Sequence, residues 1–266
     1  MKFTKRLFAA MMAMALLMTT VFAMVGCQGA TTDDLKAVKD AGKIVVGITE
    51  YAPMDYRDEN GEWTGFDAEF ARLFAKELGV DIEFKVIEWD NKLFEVQSGA
   101  IDCIWNGMTI LPEITEACSV SDPYVKNQQV VVMKADAVAK YTTEDSLKTL
   151  TFAVESGSAG EGAIKDIAKE LIGVSAQSDA LLEVASGSAD ACVIDATMAA
   201  SMTGEGTSYE NLAVAMQLTN EEYGVAFRKG SNLCEEFNKF MDKLVNDGTL
   251  RDLAAKYKLV LAADAQ

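Results

Sequence analysis

The side chains that carry most hydrolytic and metal chemistry are either absent from this chain or wrongly spaced for it. Its 266 residues include no histidine, which removes Ser-His-Asp and Cys-His catalysis and most zinc sites. Cys103, Cys118, Cys192 and Cys234 contain no CxxC pair, and two of them sit in apolar strand-like runs. They read as small buried hydrophobes rather than a disulfide framework. Gly157-Ser-Ala-Gly-Glu-Gly162 follows a strand and opens a helix, as phosphate loops do. It lacks G-x-G-x-x-G spacing and a Lys-Ser or Lys-Thr pair, and Glu155 and Glu161 would oppose a phosphate. What remains is a set of acids and aromatics at the ends of strand-like runs: Glu50 with Tyr51 after one, Glu155 after a second and Asp195 after a third. Converging on one cleft with Trp89 and Trp105, they would attract a cation through ion pairing and the negative faces of the rings. Asp195 also suits an ordinary helix-capping role, and Glu50 and Glu155 equally suit solvent-facing positions.

The first residues set the compartment. A basic start (Lys2, Lys5, Arg6) precedes an apolar run from Leu7 through Ala23, the pattern of a secretion signal over residues 1–26. The run ends in Ala23-Met-Val-Gly-Cys27, which is similar to the lipobox of bacterial lipoproteins, so Cys27 is expected to carry a lipid anchor outside the cytoplasm. Losing the leader's three cations takes the formal charge from −17 to −20. That acidity repels phosphate backbones, and no nucleic-acid partner is expected. With half the residues hydrophobic, the chain can bury one large core or two modest ones.

Strand-like and helix-like segments alternate behind this leader. A tether and short helix occupy residues 27–41. Lys43 to Ile48 then forms a continuous apolar run short enough for a buried parallel strand, Asp58-Glu-Asn-Gly61 a tight turn, and Phe66 to Leu78 an amphipathic helix stopped by Gly79. Strand 81–87, helix 92–98 and strand 101–105 follow. The second half repeats the pattern with strand 150–154, helices 160–171 and 178–185, and strand 191–194. The order predicts α/β architecture with open, mostly parallel sheets. Strand-like runs at 129–133 and 223–227 suit two crossings between lobes, giving lobe one as residues 42–131 and 226–260 and lobe two as 132–225. Open α/β sheets bind ligands at the carboxyl ends of their strands, so the cleft between the lobes is the expected site.

Several motifs occur in matching order: Gly65-Phe-Asp-Ala-Glu69, Ser98-Gly-Ala-Ile-Asp102, Gly107-Met-Thr-Ile110 with Pro112-Glu113, Ser121-Asp-Pro-Tyr124 and Gly187-Ser-Ala-Asp190. Together they closely resemble the polar amino-acid solute-binding proteins of bacterial ABC importers, from about residue 42 to residue 258. The resemblance implies a two-lobe, type II periplasmic-binding-protein-like fold and a receptor that closes on one small solute. It further implies delivery to ABC permease subunits, no cofactor or metal, no catalysis, and a monomer. By the same resemblance Tyr51 and Trp89 wall the ligand. Asn106, Gly107 and Thr109 donate from one lobe, Gly157, Ser158 and Ala159 from the other, and Asp195 pairs with an ammonium group.

One departure shapes the ligand expectation. Where the family carries an arginine that forks onto the ligand's carboxylate, this chain has Ile114, and nothing from Ile110 to Asp122 replaces it. Losing two parallel charge-assisted bonds removes on the order of 2–5 kcal/mol of anion binding. Arg57 or Lys126 from elsewhere would restore a positive charge, or amide donors at a helix start would hold the carboxylate unaided; otherwise the acids Glu50, Glu155 and Asp195 point to an amine-bearing or cationic solute without a free α-carboxylate. A dehydratase-like enzyme with Glu155 as its acid, or a sensor without transport, is the alternative on the same fold.

Overall fold

The computed structural model describes residues 33–262; the expected leader, lipid anchor and most of the tether lie outside the described residues. Fourteen strands appear along them: Lys43–Ile48 (β1), Tyr56–Arg57 (β2), Trp63–Thr64 (β3), Asp81–Val86 (β4), Cys103–Ile104 (β5), Cys118–Val120 (β6), Val125–Asn127 (β7), Gln129–Lys134 (β8), Thr151–Glu155 (β9), Glu170–Val174 (β10), Ala191–Asp195 (β11), Leu212–Gln217 (β12), Glu221–Tyr223 (β13) and Ala226–Arg228 (β14). Two five-stranded sheets use ten of them, in the orders β4-β1-β5-β14-β6 and β10-β9-β11-β8-β12.

In each sheet three strands run parallel: β4, β1 and β5 in the first, β10, β9 and β11 in the second. Covered on both faces, the inner strands β1, β9 and β11 have almost no solvent side and read as apolar runs. Strand β8, antiparallel to both neighbours but likewise covered on both faces, shows this residue by residue. Val130 and Val132 pack with Ala180, Leu181 and Val184 of helix Gln177–Ser186, whereas Val131 and Met133 pack on the opposite face with Leu147 and Ile164. In lobe one, helix Phe66–Leu78 meets helix Leu233–Asp247, whose buried residues fall at Leu233, Phe237, Phe240, Met241 and Leu244. That spacing marks one face of a 3.6-residue helix. Rings of Phe70, Phe74, Trp105 and Phe237 interlock there, with Trp105 and Phe237 centroids 4.9 Å apart and nearly perpendicular, the edge-to-face geometry that ring quadrupoles favour.

The lobes are joined by a two-stranded antiparallel ribbon, β7 with β13, in the register Asn127 to Glu221 and Tyr223 to Val125. Both crossings therefore fall a few residues earlier than the expected boundaries at 131/132 and 225/226. Gln129, Val130 and Val131 already belong to the lobe-two sheet, and the single strand expected at 223–227 is two, β13 in the ribbon and β14 in the lobe-one sheet. The expected helix 160–171 also differs: it stops at Ile164, and Glu170–Val174 forms an edge strand parallel to β9. Lys169 N–H donating to Leu150 O at 3.1 Å feeds the chain into that pairing. Helix Asp34–Ala41, placed with the tether by sequence, packs on lobe one: Leu35 N–H donates to Asn232 Oδ1 at 2.9 Å and Asp34 pairs with Arg228 at 2.7 Å.

Phe237→Ala would empty the ring cluster of lobe one and is expected to cost about 3–5 kcal/mol in urea unfolding. Phe94, 70% exposed on its helix, is expected to tolerate Ser within about 0.5 kcal/mol in the same measurement.

Candidate functional site

The carboxyl ends of the parallel strands of both sheets face one another across a small cavity of about 20 Å³. Lobe one contributes Trp89, Lys92, residues 106–109, Leu111 and Ile114, and lobe two contributes Gln129, Glu155, residues 157–159, Gln177 and Asp195. A larger groove of about 1310 Å³ passes the hinge residues 126–128 and 220–222 instead. The strand ends, where loops bring polar groups together, converge on the smaller cavity, and we take that as the site.

Asp195 ends β11 and is 2% exposed. Its carboxylate accepts from Gln129 Nε2 at 2.8 Å and from Asn127 Nδ2 and Gln177 Nε2, while Gln177 Oε1 accepts from Asp195 N–H at 2.8 Å. Glu221 of the hinge takes the same amides, Asn127 at 2.7 Å and Gln129 at 2.8 Å, together with the Thr109 hydroxyl at 2.8 Å. Burial, then the charge of Glu221, pushes Asp195 up to about 7. Glu155 ends β9, also 2% exposed. Burial and the charge of Asp195 push it up to about 8, and its Oε1 has no hydrogen-bond partner. Both acids therefore sit poised between charged and neutral near pH 7.

The donor loops are largely spent on positioning one another. Asn106 accepts from Thr49 N–H at 2.8 Å and donates to Thr49 Oγ1 at 2.9 Å, which ties its loop to the end of β1. Gly107 N–H donates to the buried Asp67 at 2.6 Å. Gly107 is required: its φ is +55°, and a Cβ would lie 2.6 Å from the Tyr51 ring, a position open only to a residue without one. Across the cleft Ser158 caps helix Ala159–Ile164 by accepting from Glu161 N–H, and Glu161 takes the Gly157 N–H at 2.7 Å. Gly157 has φ +72°, with a Cβ position 2.8 Å from Asp90 Cα of the other lobe.

Of the sequence-predicted residues, Trp89, Asn106, Gly107, Thr109, Glu155, Ser158, Ala159 and Asp195 line this one cavity. Glu50 does not: it is exposed at the start of the loop that follows β1. Tyr51 does not line it either. Its hydroxyl is held at 2.5 Å by both Thr197 and Tyr223, so it joins the lobes beside the hinge. Trp105 belongs to the lobe-one ring cluster. The expected acidic aromatic box thus reduces to Trp89, Glu155 and Asp195.

Neither cation named as a substitute arrives. Arg57 donates to Gly61 O at 2.5 Å and lies over Trp63, 4.2 Å from the ring centroid, and Lys126 lines the hinge groove. Sequence reasoning missed Lys92. It is buried beside Ile114 with Nζ 5.0 Å from the Trp89 ring centroid. The available signal was its spacing, one helical turn beyond Trp89, which puts both on one face.

Two α/β lobes joined by a pair of strands, with polar groups from both meeting at the strand ends, define a type II solute-binding protein. The sequence profile of the bacterial extracellular solute-binding proteins, family 3, matches residues 44–260, and the chain belongs to that family. The L-cystine-binding protein TcyJ of Escherichia coli is 29% identical over 231 residues, 84% of this chain and 85% of the relative. The arginine-binding extracellular protein ArtP of Bacillus subtilis is 28% identical over 244 residues, 89% and 92%. Among solved structures, a mutant of ArgBP from T. maritima superposes with a TM-score of 0.78 at 30% identity, covering 84% of this chain and 98% of its own. The ancestral amino acid-binding protein AncCDT-1, a precursor of cyclohexadienyl dehydratase, gives 0.75 at 33%, covering 85% and 99%.

Because Asp195 and Glu155 are raised, the folded protein holds protons that the unfolded chain has already released above about pH 4. Their contribution to stability is present at low pH and lost as pH rises through about 7 to 8. The melting temperature without ligand is expected to fall between pH 5 and 8.5, and Glu155→Gln to flatten that slope. Scanning calorimetry across that range is the check, and parallel slopes for the two proteins would contradict the assignment.

Proposed function

We propose that this chain captures an amine-bearing solute of the amino-acid class outside the cytoplasm and delivers it to ABC permease subunits. A lipid on Cys27 holds it to the membrane, and it works as a monomer without catalysing a reaction. Asp195 is the group that meets the solute's ammonium, with Trp89 covering an apolar face and Glu155 beside them. The observation that carries this reading is the meeting of two buried carboxylates, one at the end of β9 and one at the end of β11, in a single interlobe cavity. A cation entering there favours the ionised form of both acids. The earlier expectation of a ligand with no carboxylate rested on a cleft without a cation, and Lys92 removes that premise.

Binding and closure are coupled through contacts that exist only when the lobes meet. Lys92 Nζ donates to Gly157 O at 2.7 Å, and Tyr51 joins Thr197. A solute touching both lobes adds to these and shifts the population toward the closed form, the form a permease recognises. Names of relatives as different as L-cystine-binding and arginine-binding support an amino-acid-class solute. A neutral Glu155 carboxyl also suits proton donation to a leaving group, the chemistry of a dehydratase. The relatives reported above carry binding-protein names, which favours capture.

A thermal-shift screen against amino acids, amines and guanidino compounds is expected to identify a stabilising solute. Asp195→Asn keeps the side chain's shape while removing its charge. It is expected to weaken binding by on the order of 2–5 kcal/mol in titration calorimetry with an unchanged circular dichroism spectrum. Affinity equal to wild type would refute the role given to Asp195.

A further inference from the structure

The cleft contains a cation that the reading above uses only as a contact between the lobes and gives no part in holding the solute. Lys92 is only 9% exposed, and among the described residues it joins no ion pair. Its ammonium donates to two carbonyls, Gly157 O at 2.7 Å and Trp89 O at 3.2 Å. An ammonium has three N–H groups, so one remains for a further acceptor. The surroundings are apolar on one side, with Ile114, Met108 and Leu111 lining the same cavity, and burial pulls the lysine below its ordinary value against the opposing pull of Glu155. Glu155, Asp90, Glu113 and Glu161 act on it only through space, and burying a charge with no ion-pair partner in contact is costly. A ligand anion in the cavity offsets that cost.

We infer that Lys92 is the specificity-determining contact for a carboxylate on the ligand, with Asp195 taking the ammonium on the same carbon and Glu155 the second cation on the side chain, so that the solute is an amino acid with a cationic side chain. The inference rests on the proposed role of the cleft as the solute site and adds the substrate class. Charge counting supports it: two carboxylates and one ammonium leave the ionised cleft at −1, and a molecule with one carboxylate and two cationic groups carries +1. Glu155 Oε1, buried and without a partner, supplies the acceptor for the second cation. The Gly157 carbonyl, already engaged by Lys92, places that contact at the seam between the lobes, where an anion reports on closure.

The test compares L-arginine with agmatine, the same molecule lacking the carboxylate, by titration calorimetry on the wild-type protein, Lys92→Met and Lys92→Arg. Wild type is expected to prefer L-arginine by about 10- to 100-fold, the range of one hydrogen bond to a charged group. Lys92→Met is expected to bring the ratio close to one while agmatine still binds, and Lys92→Arg to retain the preference. If Lys92 only latches the lobes, the methionine variant loses both ligands equally; that result, or no wild-type preference, overturns the inference and leaves the solute-binding reading intact. Binding of L-glutamine in place of both cationic compounds overturns the dibasic assignment alone. No stabilisation by any amino acid or amine would remove the proposed function and this inference with it.

Discussion

Buried negative charge at the junction of the lobes is the constraint around which this molecule is arranged. Asp195 ends a strand of lobe two, Glu221 sits in one hinge strand, and the amides of Asn127 and Gln129 are shared between the two carboxylates. Burial beside the half-buried Glu221 disfavours the charge on Asp195, and amide donors offset its loss of water. The sharing ties both crossings of the chain to the ligand site. A group that changes the charge on Asp195 therefore acts on the amides that also hold the ribbon joining the lobes.

The same economy governs the cleft walls. Most donors that face it also hold the loops in place: Asn106 clasps Thr49, the Gly107 amide serves Asp67, and Ser158 caps its own helix. The loops are thereby held in position before a ligand arrives, which lowers the ordering cost of binding. Few groups are left uncommitted, chiefly the third N–H of Lys92 and one oxygen of Glu155. They lie in different lobes and carry opposite charge, so a solute able to use both also brings the lobes together.

Much of the architecture was legible because it follows from local periodicity. Helix Phe66–Leu78 and its Gly79 stop were read with their observed bounds, and β1, β8, β9 and β11 stood out as apolar runs because both of their faces are covered. Segment 165–171 departs from the expected helix because its helix-like pattern gives no sign of the edge of β9, which recruits Glu170–Val174 as a partner. The hinge boundaries were misplaced for a related reason. Runs 129–133 and 223–227 are apolar whether they cross between lobes or lie within a sheet, and only the pairing decides.

Sequence by itself determined the class of molecule. Absence of histidine, an acidic chain, alternating strands and helices, and motifs in family order all follow from residue identity and spacing, which survive without coordinates. It also determined that Ile114 stands where a guanidinium was expected. Tertiary structure alone decided what the cleft contains. Glu50 and Glu155 are equivalent as sequence, each an acid after an apolar run, yet one faces solvent and the other is buried at the seam. Tyr51 and Trp105 were aromatic candidates that the fold drew into the hinge and the core. Lys92 looked like an ordinary first residue of a surface helix, and burial against lobe two made it the cation of the site. The environment of a charge depends on what packs against it from distant parts of the chain, and local spacing does not encode that.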